Sequence, residues 1–187
     1  MTELAELVLT ADERARGTGV DRVLLTLDWS GEEEPGRLAE FVAARVRALG
    51  ADPADVDDTA VRRAAEADPA LRRGDLPVRQ LDHLSGVLAG LGCALLQVHH
   101  GDDAYALLVA RTGGSTPDGL TGLTHDHCPV LPWGTRPTLV CLDCPGCAQQ
   151  LVWELPPGET LAGERCDCGT ALFDADGRPL PDVTLYP

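Results

Sequence analysis

Lysine is missing from the 187 residues, and all fifteen basic side chains are arginine. Its absence excludes a Walker-A phosphate lysine, a Schiff-base lysine and an anchor for pyridoxal phosphate. Serine occurs only as Ser30, Ser85 and Ser115, none of them in a G-x-S-x-G elbow. No G-x-G-x-x-G follows a strand-like run, so a dinucleotide site lacks support. Aromatic residues make up 4% of the chain, so the core must be mostly leucine, valine and alanine. The longest nearly apolar run, 86–96, falls well short of the ~20 residues that cross a bilayer. Glu3, Glu6, Asp12 and Glu13 stand where a signal peptide is basic. A soluble, cytoplasmic protein without a membrane partner is expected.

Acid is what the chain has in excess. Thirty Asp and Glu against fifteen Arg give a net charge of −15. Such a surface repels nucleic acid and favours basic proteins or metal cations.

Hydrophobic spacing predicts a helix over 2–15, a strand over 20–29 and a helix carrying Leu38, Phe41, Val42, Val46 and Leu49, with Gly50 at its C-terminal end. A weaker helix is expected over 54–67. Another is expected from Asp75 as cap, with Pro77 in its first turn. Residues 93–99 and 104–111 read as strands of a hairpin around Gly101-Asp102-Asp103. The fold class expected is α+β: a small sheet with several helices over 1–112, a linker loop over 113–137, and a cysteine-rich β segment with a tail over 138–187.

Seven cysteines occur, at 93, 128, 141, 144, 147, 166 and 168. An odd count, with five in a short segment and no export signal, favours metal over disulfides. The cluster reads C141-L-D-C144-P-G-C147, then C166-D-C168-G. Two tight turns facing each other each supply two thiolates to a tetrahedral zinc. Pairing Cys144 with Cys147 makes the halves alike, because Leu151 and Leu172 each follow the second cysteine of their turn at the same offset. Cys141 is then spare, or replaces one of the four. Pro157-Gly158 supplies a return turn between the halves.

Residues 139–174 on this pattern resemble a zinc ribbon. The resemblance implies a β-hairpin stack around one structural zinc, held by Cys144, Cys147, Cys166 and Cys168. The second turn departs from it, being C-x-C rather than C-x-x-C. Arg165 is the only base within 138–175, against six acids, so this ribbon is expected to be a staple and not a nucleic-acid reader. The hairpin GDDAYALLVA and the acidity are similar to small bacterial α+β domains of the immunity type, which implies a protein-binding role.

Two further groups stand out. Asp28, Trp29, Glu32, Glu33, Asp102 and Asp103 gather at one sheet end if strands 20–29 and 93–99 run in the same direction. Such an acidic rim with an aromatic anchor suits a basic protein partner. His125-Asp126-His127-Cys128 packs metal-ligand types into four residues. The function expected is a non-catalytic, zinc-stabilised acidic binding or adaptor protein. A metal-dependent hydrolase using His125, His127 and Cys128, or the rim, is the alternative.

Overall fold

The computed structural model describes residues 4–113, 120, 122–135, 138–155 and 159–186. The chain is α+β and divides into two compact units, residues 1–134 and 135–187.

The first unit opens with two short helices, α1 (Leu4–Val8) and α2 (Ala11–Ala15), where one was expected. Thr10 breaks the run by capping α2. Its hydroxyl accepts from the Glu13 N–H at 3.1 Å while the Glu13 carboxylate accepts from the Thr10 N–H at 2.7 Å. A 3-10 turn at Val20–Val23 precedes β1 (Leu25–Asp28), so half of the strand expected over 20–29 is a turn. Then follow α3 (Arg37–Ala48), α4 (Thr59–Glu66) and α5 (Asp75–Gly90). The N-cap of α5 is Gly74, not Asp75, whose carboxylate instead reaches back to the Arg72 N–H.

β2 (Cys93–Val98) and β3 (Ala104–Arg111) form the expected hairpin. The segment read as a linker holds a second one, β4 (Leu123–His125) and β5 (Cys128–Pro132). These complete a five-stranded sheet of order β1-β3-β2-β5-β4. The loop reading of 113–137 is therefore corrected for 123–132. Asp126 and His127 both adopt left-handed backbone, at φ 47° and 69°, the geometry of a tight two-residue hairpin turn. Pro129 and Pro132 lie within β5, although proline lacks the N–H of a ladder residue. Yet Pro129 still offers its carbonyl, which accepts from the His99 N–H at 2.9 Å.

Both faces of the sheet are covered, which explains the continuous apolar runs in β2 and β3. Leu95, Leu107 and Val109 point into a core with α3 and α5, around Leu38, Val42, Leu84 and Leu88. Leu96, Leu108 and Ala110 point the other way, against Leu4 and Val8 of α1. Arg45 of α3, also buried, clamps the α1–α2 junction. It donates to Glu13 at 2.6 and 3.2 Å and to the Val8 carbonyl at 2.6 Å.

The Arg45 side-chain bond, against opposing burial and with help from the Thr10 backbone, lowers the Glu13 pKa from 4.5 to about 2. A depressed carboxyl stabilises above its unfolded pKa and loses that contribution as pH falls through the folded value. The window here is about pH 4.5 down to 2. Glu13→Gln is expected to destabilise the protein by about 1–2 kcal/mol at neutral pH, after solvent screening. It should also flatten the loss of stability across that window, which denaturant titrations at several pH values measure. A variant whose acid limb overlays the wild type would refute this.

The second unit is built on β6 (Thr138–Asp143), β7 (Gln150–Leu155) and β8 (Leu185–Tyr186), in the order β7-β6-β8. Its small core joins Leu142, Leu161, Leu172, Phe173 and Val183 to Cys144 and Cys166. Trp153 packs edge-on against Phe173, with ring centroids 6.0 Å apart. Where the ribbon resemblance implies a second hairpin, the segment after Cys168 forms only single bridges, Arg165↔Ala171 and Phe173↔Pro179. The expected Pro157-Gly158 turn lies outside the described residues.

Candidate metal centre

The turn joining β6 to β7 presents Cys144 and Cys147. The Cys144 N–H donates to the Gln149 carbonyl and the Ala148 N–H to the Cys144 carbonyl, both at 2.8 Å. The second turn closes the same way but one residue tighter. The Cys166 N–H donates to the Thr170 carbonyl at 2.9 Å and the Gly169 N–H to the Cys166 carbonyl at 2.8 Å. The residue after each second cysteine, Ala148 or Gly169, is left-handed at φ 57° or 89°. The C-x-C departure therefore shortens the turn without changing how it aims its sulfurs.

All four sulfurs lie within 4.8 Å of one another. The contacts that bind the turns together cross between them: Cys144 Sγ to Cys168 Sγ, and Cys147 Sγ to Cys166 Sγ, each 3.6 Å. A tetrahedron with metal–sulfur bonds of about 2.3 Å has edges of about 3.8 Å, so the spacing fits a metal ion. Cys144 and Cys166 are buried while Cys147 and Cys168 are exposed, so the cluster sits half in the core. Any larger residue at Gly146 would force Thr170 to shift. A Cβ there would stand 2.1 Å from Thr170 Oγ1.

The Thr170 side chain and backbone draw the Cys168 thiol down to about 6. Cys166 goes the other way, to about 12. The Cys168 N–H favours its thiolate, but burial and the neighbouring sulfurs outweigh that. Metal binding by such thiols displaces protons. Cys141 lies outside this group, in β6 opposite Val152 and Tyr186.

β1 and β2 both run antiparallel to β3, hence in the same direction, which puts Asp28 and Trp29 at the same sheet end as the turn carrying Asp102 and Asp103. Asp28 pairs with Ala104, and the Trp29 N–H donates to the Asp103 carbonyl at 3.1 Å. Asp28, Glu33, Asp102 and Asp103 are exposed. Ser30 holds one Asp28 oxygen through its N–H and its hydroxyl, and these bonds lower the Asp28 pKa.

Glu32 does not belong to this surface. Its side chain is 5% exposed and accepts from the Gly36 and Leu38 N–H groups at the start of α3 and from Gln80 Nε2. Trp29 is half covered from within its own unit. The Arg73 guanidinium sits 5.0 Å from the ring centroid, and Gly74 backs the same ring.

His125, His127 and Cys128 do not come together as one ligand group among the described residues. The group within ligating distance is Asp21, His125 and Asp126, with His125 Nε2 at 2.8 Å from Asp21 Oδ1. His127 occupies the turn tip, and Cys128 is directed to the Asp126 carbonyl.

Fold and site together define an α+β chain with a four-cysteine metal-type cluster in a ribbon-like unit. No family model, curated protein or solved structure matches it. No helix among the described residues is long and apolar enough to cross a membrane.

Proposed function

We propose that this chain is a zinc-stapled, non-catalytic binding or adaptor protein that recognises a basic protein partner. The observation that supports it most is the closed four-sulfur set. Four thiolates in a tetrahedron suit zinc, and with four protein ligands no position remains for water or substrate, which makes the metal structural. The acids Asp28, Asp102 and Asp103 at the sheet end, beside the Trp29 ring and with Glu33 exposed nearby, support a basic protein as the partner, the role an immunity-type protein would play. Charge repulsion argues against nucleic acid, since zinc with four thiolates adds two negative charges to an acidic unit.

Purified without chelator, the protein is expected to hold one zinc. Asp102→Arg with Asp103→Arg should weaken partner capture, most strongly at low salt, and leave thermal stability unchanged, because both residues lie in an exposed turn. Capture that is the same in both forms would remove the rim from the reading. Metal-dependent turnover lost in His125→Ala would replace the reading with an enzyme.

A further inference from the structure

Five large hydrophobic side chains are exposed among the described residues: Trp29, Leu139, Val152, Leu185 and Tyr186. Four of the five lie on the small sheet of the second unit. Cys141 pairs with Val152 on one side and Tyr186 on the other, and Leu139 precedes it by two residues. Leu139, Val152 and Tyr186 therefore share the face turned away from the core, at 63%, 57% and 46% exposure.

The edge beside that face carries no second strand among the described residues. β7 pairs only with β6 among the described strands. The Cys144–Gln149 bond fixes the phase of the ladder, since hydrogen-bonded pairs recur every second residue. Leu151 and Trp153 then turn their N–H groups toward β6, while Gln150, Val152 and Glu154 turn theirs outward. Three donors with their carbonyls thus stand along a six-residue edge.

We propose that this edge receives an extended segment of a partner protein in which apolar and basic residues alternate, added as a strand beside β7. The outward donors supply the backbone ladder. Val152 lies on the outer face and the half-buried Leu151, Trp153 and Leu155 on the core side, so apolar residues of the added strand find cover on either. Charge selects the rest of the segment. Residues 135–187 carry three Arg and eight Asp or Glu, a net of −5, and Glu154 stands exposed on the edge strand itself. The same charge opposes a second copy of this chain as the occupant. The inference rests on the basic-partner reading but uses a surface separate in sequence from the rim, so the two can fail independently.

The test uses the zinc-loaded full chain and a synthetic peptide alternating valine and arginine. Controls are a peptide of the same composition in blocks and an alternating valine–glutamate peptide. Backbone amide shifts should concentrate in Gln150–Leu155, with affinity that falls as salt rises. Val152→Pro removes an outward N–H and the exposed valine side chain without touching a bond to β6, and should weaken binding at least ~10-fold with the metal retained. Glu154→Arg should weaken it by a similar factor and decides the matter if the proline variant loses metal. The Asp102→Arg, Asp103→Arg protein should bind the peptide like wild type. No shifts in the wild type, equal binding of the block peptide, unchanged affinity in Glu154→Arg, or self-association through β7 would overturn the inference. Capture through the rim without peptide binding would overturn it while leaving the rim reading intact.

Discussion

Cys166→Ser is expected to empty the metal site and unfold residues 135–187 while residues 4–113 keep their structure. Metal binding at such sites is worth on the order of 10 kcal/mol, more than the few kcal/mol by which a unit of this size is stable. Its core is small, and two of its buried members, Cys144 and Cys166, are themselves ligands. Losing one ligand therefore removes packing along with coordination. Amide spectra and metal analysis of the same sample separate the two units. Cys141→Ser is the control and should keep its zinc. Acid should reproduce the loss, since protons compete with the metal for thiolates and affinity falls as pH falls. A Cys166→Ser protein with a full zinc equivalent and an intact second unit would dismiss the centre.

Glu32→Ala is expected to destabilise the first unit by about 2–3 kcal/mol, or roughly 5–10 °C, whereas Glu33→Ala should stay within about 0.5 kcal/mol. The Glu32 carboxylate satisfies two N–H groups at the start of α3 and is tied through Gln80 to Asp58, which in turn holds Arg62 at 2.7 Å. Removing it takes the partner from those donors at a largely buried carboxylate. Glu33, one residue on, is exposed. Chemical denaturation of both variants makes the comparison, and equal losses would refute the assignment.

These neighbouring glutamates show where reading the sequence stops. Three consecutive acids after a strand look alike, and only the return of the chain through Asp58 and Gln80 makes one of them internal. The main hairpin and α3 were legible because their periodicity is local and strong, as Leu38, Val42 and Val46 illustrate. The four-cysteine cluster was legible because ligand spacing is itself local. Thr10 and Glu13 carried a capping signal that the longer apolar stripe obscured. The β4–β5 hairpin was hidden by prolines and short strands, and Asp126-His127 lacks the glycine that commonly marks a two-residue turn.

The position of α1 has a consequence for synthesis. Leu4 and Val8 lie against Ala106, Leu108, Leu123 and Val130, so this helix is translated long before the surface that covers it. β5, which separates β2 from β4, arrives equally late. A nascent chain that has just completed β3 can seat α1 on Ala106 and Leu108, but it still presents an unpaired β2 edge and the part of that face which Leu123 and Val130 later close. That is the stage of its production at which the protein is most exposed to aggregation and to capture by chaperones.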